Sequence, residues 1–210
     1  MLDRLLESPH YGEQWGRHWL DVVRYADTAG NSNDYERSNA WRYRDYVIRA
    51  FNENKPYDKF IIEQLAGGLL ENPNIEHYVA TGFNRIKQIS QEGGIQDKEY
   101  IAKYYAERVR TSSVAFLGST MGCSECHDHK FDPVSQKEFY QFSAFFNQVP
   151  ERGMRGFTPN VKVPLATNPK LIAELAAAKP RNPAVANATI AAPTPRPTLL
   201  RILPIIIVSP

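Results

Sequence analysis

From about residue 9 to residue 146 the apolar side chains return at three- and four-residue intervals, and no stretch keeps the two-residue alternation of a half-buried strand. That rhythm restricts the chain to helices packed on helices. Residues 9–27 set Trp15, Trp19, Val22, Val23 and Ala26 on one predicted face, with Arg17, Asp21 and Arg24 on the other. A polar loop over 29–38 leads to a second helix over 40–54, expected to bury Trp41, Val47, Ile48 and Phe51. Pro56 breaks that helix and opens a third over 57–70, with Phe60, Ile61 and Leu65 inward. A short helix over 75–86 and a long one over 98–118 follow. Ser135 and Glu138 form a capping box for a last helix reaching Phe146. The expected fold is mainly α: an irregular multi-helix domain with long loops over 1–178. A Pro/Ala-rich tail over 179–210, with Pro180, Pro183, Pro193, Pro195 and Pro197, is expected to be disordered or truncated.

The long helix delivers the chain to Cys123-Ser124-Glu125-Cys126-His127, and the sequence has no other cysteine. Two thiols three residues apart with a histidine directly after them have the spacing of a c-type haem attachment site. Each thiol can add to one vinyl group, and the adjacent imidazole can take an axial position on the iron. Cys123 and Cys126 are therefore the expected cofactor-binding residues for covalent haem c, and His127 the expected axial ligand. His18, on the Trp-rich first helix, is a candidate sixth ligand, as are His10, His77, Met121 and Met154. An open sixth position would instead suit a haem-dependent oxidoreductase. Gly122 reads either as room for a macrocycle or as a helix cap.

Other chemistries fit the same residues less completely. Cys123, Cys126, His127, Asp128 and His129 could hold structural zinc, but such sites draw a second ligand pair from a distant segment. His10, His18 or His77 would have to supply it. A Cys123–Cys126 disulfide would make this a non-catalytic scaffold or binding domain, and would leave His127 unexplained. Asp128, His129, Lys130 and Asp132 read as groups orienting His127 or as a solvated turn. Glu92-Gly93-Gly94 reads as a plain turn, with Glu92 the one carboxylate it could bring to a site. The net charge of +2 is too small to argue for nucleic acid, and no apolar run of about 18 residues spans a membrane. Met1-Leu2-Asp3-Arg4-Leu5 shows no basic start with an apolar run behind it. Covalent haem attachment takes place outside the cytoplasmic membrane, so an export signal is expected upstream and the location is expected to be periplasmic or otherwise exported.

Several segments resemble one family in its own order. They are residues 8–21 (Ser8-Pro9-His10-Tyr11-Gly12 to Asp21), Trp41-Arg42-Tyr43-Arg44-Asp45-Tyr46, Pro56-Tyr57-Asp58, Glu63-Gln64-Leu65-Ala66-Gly67, and above all residues 117–136 around the cysteine motif. Over about residues 1–152 the chain is similar to the planctomycete cytochrome-associated domain, domain of unknown function 1549. The resemblance implies a large exported protein with an adjacent cytochrome c-like module as redox partner, and a haem role for the cysteine–histidine motif.

Overall fold

The computed structural model describes residues 1–153 apart from Ser32 and Pro150. The expected tail over 179–210 and the candidate Met154 lie outside the described residues. Those described form seven α-helices and no strand, with one antiparallel bridge between Thr28 and Glu36. The helices are α1 (Leu2–Leu6), α2 (His10–Val22), α3 (Trp41–Asn52), α4 (Tyr57–Ala66), α5 (Ile75–Ala80), α6 (Asp97–Ser112) and α7 (Gln136–Ser143). Among the described residues no helix is long and apolar enough to cross a membrane.

Helix α2 packs chiefly on α3, and glycine decides which face it presents. A Cβ on Gly12 would stand 2.3 Å from the Ile48 carbonyl oxygen, and one on Gly16 would stand 3.2 Å from Ile48 Cγ1. Gly12, Gly16, Trp19 and Val23 follow at helical spacing and make the contact face. Trp15 and Val22 therefore lie off it, 48% and 44% exposed, although periodicity alone places them inside. Asn52, at the end of α3, fixes the pairing: its Oδ1 accepts the Gly12 N–H at 2.7 Å and its Nδ2 donates to the Pro9 carbonyl at 3.0 Å. One otherwise unpaired donor of α2's first turn is thus capped from a neighbouring helix. On α3 the buried stripe is Tyr43, Tyr46, Val47 and Ala50, while the expected Trp41 is 43% exposed beneath the Arg42 guanidinium.

Two apolar clusters form the interior. The first joins α2, α3 and α4 around Val23, Tyr46, Val47, Phe60 and Phe83, with Gln64 inside it. Gln64 Oε1 accepts from Tyr43 and Trp19, and its Nε2 donates to the Phe60 carbonyl at 3.1 Å, so the buried amide is satisfied. The second cluster joins α6 and α7 through Ala106, Val109, Met121, Phe139 and Phe146.

The long helix expected over 98–118 ends as an α-helix at Ser112 and widens into a π-helical turn, Ser113–Leu117. The hydroxyl run Thr111-Ser112-Ser113 explains the break: Ser113 Oγ donates back to the Arg110 carbonyl at 3.0 Å, competing with the helical ladder. Gly118 closes the turn at φ 59°, a left-handed conformation suited to glycine. This turn sets the direction in which the chain enters the cysteine motif.

Candidate functional site: the cysteine–histidine turn

Residues Met121–Glu125 form a 3₁₀ turn packed on α6 and α7. With three residues per turn, positions three apart lie on one side. Met121 and Ser124 are buried, 6% and 0% exposed, and Cys123 and Cys126 are both exposed free thiols. The spacing that suits two vinyl groups is therefore also the spacing that turns both sulfurs outward while the residues between them hold the turn down.

Polar contacts anchor this turn on every side. The Arg110 guanidinium pairs with the Glu125 carboxylate, and the Arg110 stem packs at Gly122, where a Cβ would stand 3.2 Å from Arg110 Cγ. The smallness of Gly122 thus accommodates Arg110 rather than a helix cap. The Glu125 carbonyl accepts from Gln136 Nε2 at 3.2 Å and from the Tyr140 hydroxyl at 3.0 Å. Ser124 Oγ donates to the Val134 carbonyl at 3.3 Å. Asp128 Oδ1 accepts the Gln136 N–H at 2.7 Å, beside the Ser135–Glu138 capping box, which is formed as its sequence predicts.

The two histidines of the segment have opposite roles. His127 is exposed and has Nδ1 2.8 Å from the Asp128 carbonyl oxygen. A carbonyl can only accept, so Nδ1 carries the proton and Nε2 keeps its lone pair. Metal-bound histidines commonly hold their second nitrogen in this way. The His129 side chain is 6% exposed, and its Nδ1 accepts the backbone N–H groups of Asp132 at 2.8 Å and Phe131 at 3.2 Å. Its proton therefore sits on Nε2, 3.2 Å from Thr120 Oγ1. His129 is a brace between the segments before and after the motif.

The remaining candidates are spread through the fold. His18 lies on α2 with Nε2 3.3 Å from Gln14 Nε2 and its ring edge against Trp15. His10 has Nδ1 2.7 Å from Glu13, and His77 caps α5 together with Asn74. Met121 belongs to the second apolar cluster. Among the described residues no group of three His, Cys, Asp or Glu side chains could hold a metal ion, so the four-ligand zinc arrangement is not assembled there. Gly93 and Gly94 form a turn with open space around both, Gly94 at φ 81°. For haem, the protein's own donors fit: two exposed thiols on one side of a braced turn and an imidazole with Nε2 free. Phe131 and Tyr140 leave apolar surface around the motif, 83% and 55% exposed.

A second polar centre is not legible in the sequence. The Glu151 side chain, 1% exposed, accepts two bonds from Arg108 at 2.6 and 2.8 Å and one from Lys87 at 3.0 Å, with Arg85 at 3.4 Å. Burial pushes the Glu151 carboxyl up, but the Arg108 bonds and the Lys87 charge outweigh it and hold it below the usual value. Burial, helped by the Arg108 charge, lowers Lys87 to about 7. The partners lie 64 and 43 residues from Glu151, and no local spacing announces them.

Fold and turn together define a helical domain that presents a Cys-x-x-Cys-His segment at its surface. The family model PSCyt2, described as a protein of unknown function (DUF1549), matches residues 1–151, and the chain belongs to that family. It is thus a planctomycete cytochrome-associated domain of unknown function. No curated protein and no solved structure matches the chain.

Proposed function

We propose that this chain is an exported c-type haem-binding domain that passes electrons within a larger multidomain protein. The observation that carries the reading is the turn itself, with Cys123 and Cys126 exposed together and His127 held by the Asp128 carbonyl so that Nε2 is free. Bound haem c would supply a one-electron couple whose potential follows its ligation and burial. Cys123 and Cys126 would hold it as thioethers, each S–H adding across one vinyl double bond with no oxidant consumed. His127 Nε2 would ligate the iron. The contacts from Arg110, Gln136, Tyr140 and His129 keep the turn in place, as a rigid support should.

The partner in this reading is an adjacent cytochrome c-like module seated over the exposed motif, where Phe131 and Tyr140 offer it apolar surface. His18 is engaged by Gln14 and Trp15 on a helix that packs on α3, whereas the motif packs on α6 and α7. The reading therefore leaves the sixth position to solvent or to the partner. The test is the intact mass and pyridine haemochrome spectrum of the full chain, exported from a host with c-type haem maturation. One haem per chain with both vinyl groups consumed supports the reading, and a folded, exported, haem-free chain overturns it.

A further inference from the structure

A cleft of about 250 Å³ opens between the end of α2, residues 26–30, residues 83–88 and α6, apart from the cysteine motif. Its lining carries four cationic side chains, Arg24, Arg37, Lys87 and Arg108, against one carboxylate, Glu107. Three of the four are matched: Arg24 by Glu107 and Thr111, Lys87 and Arg108 by Glu151. Arg37 is not. Its Nη2 donates to the Lys87 carbonyl and, at 3.4 Å, to the Ala29 carbonyl, which fixes the guanidinium in the wall. Its Nε and Nη1 are buried and find no acceptor among the described residues. Asn84 on the same lining keeps Oδ1 buried without a donor, although its Nδ2 is bonded to the Gln64 and Leu65 carbonyls.

A half-buried guanidinium with two buried nitrogens, three N–H groups in all, left without acceptors is costly, and native proteins satisfy such groups with a partner, a water or an ion. The nearby carboxylate Asp34 accepts the Gly30 N–H at 2.6 Å and acts on Arg37 only through its charge, with no hydrogen bond to the unmet nitrogens. The backbone is also unusual here: Arg24 takes φ 58° at the end of α2, where glycine is the common residue. With that backbone, Arg24 reaches Glu107 and Thr111, pairing the one carboxylate of the cleft's lining.

We infer that this cleft binds a small oxyanion, the carboxylate or phosphate group of a low-molecular-weight compound, with Arg37 as its principal donor. The volume is below that of the usual cleft for drug-sized ligands, about 300–1,000 Å³, which fits a small metabolite rather than a polymer. An Arg donor set in a low-dielectric wall favours carboxylate and phosphate over halide, because several N–H groups can meet several oxygens.

The experiment titrates the full chain with inorganic phosphate and, separately, with malate, against chloride at matched ionic strength. It reads the thermal midpoint and the Arg37 Nε–H resonance. A saturable shift of both with either oxyanion, absent with chloride, is expected. Phosphate alone acting would identify a phosphoryl ligand, and malate alone a carboxylate. Arg37→Met should weaken binding at least tenfold. Ala26→Phe, which fills the cleft without removing a charge, should do the same, and it decides the matter if the Arg37 variant does not fold. No saturable shift with either oxyanion, or equal binding by both folded variants, would overturn the inference.

Discussion

His129 Nε2 lies 3.2 Å from Thr120 Oγ1, joining the residue before the cysteine turn to the loop after it. The other nitrogen of the same ring accepts the Asp132 N–H at 2.8 Å. One nearly buried imidazole thus holds both flanks of a turn whose thiols face solvent.

Replacing His129 should loosen the turn. His129→Ala removes the acceptor of the Asp132 and Phe131 N–H groups, which lie at the surface where water can replace it, and should cost about 0.5–1.5 kcal/mol. His129→Asn can return an acceptor near the Nδ1 position and should recover part of that loss. Urea unfolding of the two variants checks the order, and equal losses would mean that the ring acts only by filling space.

Helix α2 should tolerate no side chain at position 12, where its backbone meets α3. Gly12→Ala places a methyl 2.3 Å from the Ile48 carbonyl oxygen, a backbone atom that cannot turn aside. A loss of about 1–3 kcal/mol is expected, in line with overpacked cores. Gly93→Ala is the control, since nothing lies within 4 Å of the added atom. Its unfolding midpoint should stay where it is or rise slightly.

The buried ion group should make stability depend on pH in a defined direction. Lys87 titrates at about 7 in the folded chain, and an unfolded lysine at about 10.4. Between these values the unfolded chain binds one more proton there than the folded chain, so this group makes stability rise with pH from about 7 to about 10. Glu151 contributes in the acid range: its carboxyl is held low, so its stabilisation is present above the ordinary Glu range and is lost as pH falls. Lys87→Met should flatten the alkaline slope of the unfolding midpoint. Glu151→Ala should be far more damaging, about 3–5 kcal/mol, because it strands Arg108 and Lys87 in the interior. Midpoints from pH 4 to pH 10 for the two variants and the parent test both signs.

Much of this architecture was legible in residue order. The helices over Trp41–Asn52 and Tyr57–Ala66 and the Ser135–Glu138 capping box follow from periodicity and capping chemistry, which act within one or two turns of chain. The short α1 (Leu2–Leu6), with no buried residue, is not among the helices the periodicity predicts. The exposure of Trp15 escaped that reading because the glycines that choose the buried face of α2 carry no hydrophobicity. The cysteine motif was visible because its chemistry is local. The Arg37 cleft and the Glu151 group were not, since their parts come together only through tertiary packing.

The most direct test of the haem assignment is a haem stain on a denaturing gel, run on the exported full chain with Cys126→Ala and His127→Ala beside it. Haem that survives denaturation in the parent, loses its normal pair of thioethers in Cys126→Ala and changes its absorption spectrum in His127→Ala is the predicted result. A folded, exported parent that carries no covalent haem, or a Cys126→Ala chain that keeps a normal pair of thioethers, would contradict it.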